Sequence, residues 1–147
     1  MLIEPINNSN LKELTRLFVE MFPETDYDAE FRIFEKSIGS ANEICFLARE
    51  GNQYIGFIHI TLRSDYVEGS DLSPTAYVEA LYVKPDCRRK GIAKALLQKA
   101  EQWAISKNCF TLASDTAITN YNSIRFHRCI GFEEANRIVC FIKKLGE

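Results

Sequence analysis

One stretch of this chain joins a strand end, a cluster of cations and a helix start. Residues 83–93 read VKPDCRRKGIA, with Arg88, Arg89 and Lys90 ahead of Gly91 and an apolar helical pattern behind it. A helix N-terminus presents amide N–H groups that lack intrahelical partners, together with the positive end of the helix dipole. Glycine lets the backbone approach a ligand closely. Cations, amides and glycine in that order suit a diphosphate. A solvated basic turn that caps the helix explains the same residues equally well. Two carboxylates carry the opposite charge. Glu79 interrupts the apolar run AYVEALYV. An unpaired buried carboxylate is costly, so Glu79 either faces solvent by strand alternation or meets a cation. Asp115 follows the run Phe110–Ser114 and can relay a proton or cap a helical segment from Thr116. On spacing alone, capping is the simpler role.

The cysteines offer less. Cys45, Cys87, Cys109, Cys129 and Cys140 are odd in number and widely spaced, with no C-x-x-C pair. That argues against a zinc knuckle or a thioredoxin-like centre. Cys45, Cys109 and Cys140 lie in apolar runs and read as buried thiols. Cys87 sits beside three cations that would lower its pKa, although a partly exposed loop thiol is the plainer reading. His59 and His127 are isolated and lack ligand spacing, so no metal is expected.

These residues need elements to position them. Leu11, Leu14, Leu17, Phe18 and Met21 recur at helical spacing after Asn8 or Ser9, and Pro23 ends the run. A second helix is expected over Tyr27–Ile38. Strands are expected at residues 2–6, Ile44–Ala48, Tyr54–Leu62 and Ala76–Val83, with a hairpin turn at Gly51-Asn52. Residues 64–75 are polar and turn-rich. Helices at Gly91–Ser106 and Asn120–Cys129 flank a strand at Phe110–Ala113, and Phe132–Leu145 supplies one or two last strands. The order predicts a mixed α/β sheet with helices on both faces.

Size and charge narrow the classes. A chain of 147 residues, 46% hydrophobic and 26% charged, fits one domain over 1–147. There is no internal repeat. No apolar stretch reaches the roughly 18 residues of a membrane span, and the N-terminus lacks the pattern of a secretory signal. Free thiols then point to the cytoplasm. The net charge of −2 disfavours a nucleic-acid binder. The charge is uneven: residues 1–75 carry six Lys/Arg against thirteen Asp/Glu, and residues 76–147 carry twelve against seven. Such a layout can hold a cationic and an anionic ligand together; ordinary surface scatter produces it too.

The basic turn also carries a family likeness. Arg88, Gly91 and Ala93 spell R-x-x-G-x-A between a strand and a helix, which resembles the acyl-CoA signature of the GNAT N-acetyltransferase superfamily. Asn120, Ser123, Phe126 and Gly131-Phe132 resemble the second signature of that superfamily. The resemblance spans nearly the whole chain. The strings YVEGSDLSPTAYVEALYVKPDCRRKGIA, ASDTA and FHRCIGF are further similar to the short, single-domain aminoglycoside 6′-N-acetyltransferases. The resemblance implies a mostly antiparallel sheet with a splayed parallel strand pair, and acetyl-CoA as cosubstrate. The pantetheine arm would pair with Leu81, Tyr82 and Val83, where an amide near Leu81 polarises the thioester carbonyl. The diphosphate would rest on Arg88, Arg89, Lys90, Gly91, Ile92, Ala93 and Lys94. Asn120 would bind the arm, and His127 would line the same wall where most members have Tyr.

In that frame Asp115 becomes the catalytic candidate. An alkylammonium has a pKa near about 10.4, so the acceptor must lose a proton before it attacks. Phe22, Glu24, Tyr66, Glu79, Asp115 and Asn136 would bind the amine. Tyr66 would stack on or hydrogen-bond a sugar ring, and Asn136 stands where related proteins can present an acid. Glu20, Asp65, Glu68 and Asp71 would add a negative field. The implied reaction is acetylation of an aminoglycoside 6′-amine, hence antibiotic resistance. A different small amine, a polyamine or a protein N-terminus is the alternative, and a non-catalytic CoA sensor a third reading. Related proteins are often dimers, so a homodimer is expected, with neither nucleic-acid nor membrane partners.

Overall fold

Side chains through residues 43–63 and 75–83 alternate between two environments, as strands do when each face of a sheet packs on a different layer. In the computed structural model of the chain, which describes residues 1–146, they form β2 (Glu43–Glu50), β3 (Gln53–Arg63) and β4 (Thr75–Val83). With β1 (Leu2–Pro5) and β5 (Leu112–Ala113) they make one sheet in the order β1-β2-β3-β4-β5. The first four strands pair antiparallel, and β4 pairs with β5 in parallel. Gly51 closes the β2–β3 hairpin with φ +58°, which glycine adopts freely. The helices are α1 (Leu11–Met21), α2 (Tyr27–Ser37), α3 (Ile92–Ser106) and α4 (Tyr121–Cys129).

The chain divides into two compact units, Met1–Ser114 and the part from Asp115 onward. In the first, Leu11, Leu14 and Leu17 of α1 and Phe34 of α2 pack with Cys45, Leu47, Phe57 and Ala80. Ala104 and Trp103 of α3 pack instead with Ala76, Leu62 and Leu112. Phe57 and Leu62 are an odd number of residues apart on β3, so α1 and α2 cover one face and α3 the other. Asp26 caps α2 by accepting the Ala29 amide at 3.1 Å. The residue that caps α1 is Asn10, not Asn8 or Ser9, and its side chain is turned back to accept the Asn7 amide at 2.8 Å.

The second unit contains α4, whose N-cap Asn120 accepts the Ser123 amide at 3.1 Å. Strands were expected over Phe132–Leu145, but none forms among the described residues of that segment. A strand exists only when another strand satisfies its backbone, and apolar composition cannot supply one. Ile138, Val139, Phe141, Ile142 and Leu145 are consequently exposed. Cys140 is exposed as well, against its expected burial, whereas Cys45 and Cys109 are buried.

Candidate active site

The sheet opens where its pairing changes direction. β4 and β5 share two register pairs, Ala76 with Leu112 and Tyr77 with Ala113. Beyond them β4 runs on from Val78 to Val83 with β3 on one side and no described strand on the other. Backbone groups on that edge are open to a ligand that can act as a strand. The start of the pair is firmly held: the Ala76 amide donates to Thr111 O at 3.1 Å and to Cys109 Sγ at 3.2 Å. Leu81, Tyr82 and Val83 all lie on the open stretch.

The basic turn continues from this edge. After β4, Pro85–Cys87 form a single 3₁₀ turn. Arg88 Nε donates to Val83 O at 2.8 Å, and its guanidinium lies 5.8 Å from the Tyr82 ring centroid. Arg88, itself exposed, therefore braces the turn through this bond. Arg89 and Gly91 have φ +64° and +78°. Gly91 is the N-cap of α3 and provides no side chain to its amides, which leaves the first amides, including those of Ile92, Ala93 and Lys94, without a cap. Arg89, Lys90 and Lys94 are exposed around them. A β-carbon on Gly91 would meet nothing within 4 Å, so within the protein alone its glycine is needed for the left-handed backbone. The cations do not activate Cys87. Desolvation, then the Asp86 carboxylate to which its thiol donates at 3.7 Å, raise its pKa above the ordinary thiol value; Lys90 only partly opposes them.

The α1–α2 face of the sheet carries the acids. The β3–β4 register passes from His59–Ala80 to Ile60–Val78 and skips Glu79. Glu79 is thus the extra residue of a bulge, a feature that re-aims a side chain. Its carboxylate accepts Arg63 Nε and Nη2, each at 2.8 Å, and Thr61 Oγ1 at 2.8 Å. Burial pushes this carboxyl up, but the hydrogen bonds from Arg63 and Thr61 and the charge of Arg63 outweigh that and hold it below the usual carboxylate value. Glu79, an exposed residue of the strand, thus faces a cation of the chain itself, Arg63. Glu20 accepts Tyr82 Oη at 3.2 Å and Lys84 Nζ at 3.1 Å, so its charge is already partly matched. Phe22 is 45% exposed, and its ring lies 5.0 Å from that of Phe18, which stacks on towards Phe57. Glu24 is exposed beyond the end of α1. Tyr66 is 80% exposed and donates to Glu68 at 2.7 Å, which raises its phenol pKa.

In the second unit, Asp115 is its first residue and is exposed. No helix starts at Thr116; the next is α4, capped by Asn120, so the helix expected behind Asp115 does not form. His127 Nδ1 lies 2.7 Å from Ser123 O. A carbonyl only accepts, so this hydrogen bond places a proton on Nδ1. Phe126 and Phe132 flank the ring at 6.0 and 5.1 Å. Asn136 Oδ1 accepts the Arg137 amide at 2.8 Å. A basic cleft of about 430 Å³ lies among Tyr121, Ile124, Arg125, Arg128, Cys129 and Arg137. Among the described residues, no group of three or more His, Cys, Asp or Glu could hold a metal ion, and no helix is long and apolar enough to cross a membrane.

Residues 11–132 match the acetyltransferase (GNAT) family model. The chain belongs to the GNAT family. It is 38% identical over 133 residues to an aminoglycoside N(6′)-acetyltransferase type 1 of Serratia marcescens, covering 90% of this chain and 88% of that one. A protein of the same name from Acinetobacter baumannii is 35% identical over 145 residues, 98% of this chain and 99% of its own. Among solved structures, AAC(6′)-Iy in complex with the bisubstrate analog CoA-S-monomethyl-acetylneamine superposes with a TM-score of 0.93 at 31% identity, over 98% of each chain.

The first unit presents Leu81–Val83 and Arg88–Lys94 in one continuous path. Sequence reasoning missed Arg63 and Thr61 as the partners of Glu79. Their signal was weak: a polar pair two residues apart at the end of a strand, opposite a run whose bulge cannot be read from residue types.

Proposed function

We propose that this GNAT protein transfers the acetyl group of acetyl-CoA to the 6′-amino group of an aminoglycoside. The observation that carries this reading is the open edge of β4 from Val78 to Val83, leading directly into the uncapped start of α3. That path suits a thioester donor with a peptide-like arm and a diphosphate: main-chain groups for the one, amides and cations for the other. The relatives named for aminoglycoside acetylation, matched over nearly the full chain, support the acceptor. Acetyl-CoA supplies an activated acyl thioester.

The chain's own residues do the rest. Amides of Leu81 and Val83, which face away from β3 on either side of Tyr82, hold the arm and polarise the acyl carbonyl. Arg89, Lys90, Lys94 and the amides at Gly91, Ile92 and Ala93 neutralise the phosphates, with Arg88 keeping the turn in shape. Asn120 hydrogen-bonds the arm and His127 lines the wall. Glu79, Glu24 and Asn136 attract the ammonium groups, while Phe22 and Tyr66 contact the sugar rings. Asp115 takes the proton from the 6′-ammonium, directly or through water, and frees the nitrogen lone pair.

The protein acts in the cytoplasm as a single acetyltransferase domain over 1–147 and confers aminoglycoside resistance. It functions as a homodimer, a reading supported by the unpaired apolar segment Ile138–Leu145, which a second copy would cover. A thiol-release assay with acetyl-CoA tests the activity. Neamine, which bears a 6′-amine, is expected to release thiol, and an analogue with a 6′-hydroxyl is not. Equal release with both, or none with either, refutes the reading. Light scattering at twice the monomer mass is the expected result for the assembly.

A further inference from the structure

Glu79 already has a cation. Arg63 meets it with two parallel hydrogen bonds of 2.8 Å, the fork geometry that matches a carboxylate best. The guanidinium carbon lies 3.5 Å from the Tyr77 ring centroid, so the same group is also stacked. Thr61 and Arg63 project from β3 on the face that carries Tyr77, since Thr61 pairs with Tyr77 and Arg63 with Thr75. The Glu79 side chain is 26% exposed although the residue as a whole is exposed; its main chain lies on the open edge. The pair therefore sits where β4 loses β5, immediately before the loop that carries Tyr66. It is accessible, with the Arg63 side chain 39% exposed.

We infer that Arg63 is a built-in occupant of the amine subsite, holding at Glu79 the place a substrate ammonium takes. The inference rests on the reading of Glu79 as an amine anchor. A substrate binds by displacing the guanidinium, and Arg63 thereby sets selectivity. A monoamine offers one charge against a two-pronged, stacked cation and competes poorly. A polyamine sugar brings further ammonium groups, which Glu24 and the Asp65, Glu68 and Asp71 loop attract while one of them replaces Arg63. Arg63 thus discriminates by charge number, against small monoamines and in favour of polycations.

The test compares wild type with Arg63→Gln and Arg63→Lys. In Arg63→Gln the neamine KM is expected to fall by about fivefold, as for loss of a competing, partly exposed ion pair. The KM of a monoamine, 6-amino-6-deoxyglucose, is expected to fall further, with the acetyl-CoA KM unchanged. Arg63→Lys, which keeps the charge but loses the fork, is expected to lie between. In parallel, the Arg63 Nε–H resonance in the wild-type NMR spectrum, assigned by its loss in Arg63→Gln, is expected to shift when neamine saturates the protein. A neamine KM that rises or stays constant in Arg63→Gln, at an unchanged melting temperature, overturns the inference. So does an Arg63 resonance unmoved by saturating neamine. Failure of the aminoglycoside reading looks different: no variant turns neamine over. Spermidine is then the titrant, and the inference requires that it bind Arg63→Gln more tightly than wild type and shift the Arg63 resonance. No binding by either protein overturns it.

Discussion

The acidic face around Glu79 and the basic turn around Gly91 hold their charge in opposite ways. At Glu79 the charge sits on a side chain, and the protein neutralises it in advance with Arg63, Thr61 and the Tyr77 ring. At the start of α3 the attraction comes largely from main-chain amides held by left-handed Arg89 and Gly91. There, Arg88 is spent on bracing Val83 O. A side-chain anchor can be adjusted by one substitution and can be occupied by a rival. A main-chain anchor depends on backbone shape and tolerates changes of neighbouring side chains. In the proposed reaction the basic turn would therefore suit a constant donor, and the acidic face an acceptor that must be discriminated.

The largest expected effect falls on the proposed proton acceptor and leaves the basic turn untouched. Asp115→Ala should lower kcat by about 10²- to 10⁴-fold, the range for loss of a general base, while calorimetry finds CoA affinity unchanged. Retained turnover would remove Asp115 from the chemistry. The next test concerns the turn. Gly91→Val places a β-branched residue at φ +78° and should cost about 1–2 kcal/mol of local backbone energy, read as a rise of about five- to thirtyfold in the acetyl-CoA KM. Gly91→Asn separates two causes, because Asn tolerates left-handed backbone. Near-normal KM in Gly91→Asn would show that the backbone alone matters; a loss equal to that of valine would show that a β-carbon meets the ligand.

Smaller effects sharpen the comparison. Glu79→Gln should raise the neamine KM by about fivefold and leave acetyl-CoA unaffected; equal loss of both would mark structural damage. The smallest effect is on stability. Glu79 has a folded pKa below its unfolded value, so its contribution is present above the unfolded pKa and is lost as pH falls through the folded one. With the pair partly exposed to solvent, the contribution is below about 1 kcal/mol. Urea melts of wild type and Glu79→Gln should therefore differ most near neutrality and converge in acid. A difference that grows below pH 4 would contradict the assignment.

Much of this was legible in residue types. Helical spacing located α1 and α3, Gly51 marked the hairpin, and the order of cations, Gly91 and Ala93 marked the turn, because these signals are local and each depends on a few neighbouring residues. The Glu79 site was only half legible. An acid inside an apolar strand demands a partner, but the partner is 16 residues away, and the bulge that aims Glu79 at it arises from register rather than composition. Cys140 and the apolar segment around it misled for a related reason: burial and strand formation depend on what lies alongside, and nothing in Arg137–Leu145 encodes that. By itself the sequence determined the four helices and the first four strands, where the hairpin turns, and which family the chain resembles. Tertiary structure alone decided that β4 outruns β5, that Arg63 meets Glu79, and that Arg88 braces Val83 O. Local propensity is written in adjacent residues; register and charge pairing are settled only when distant strands meet.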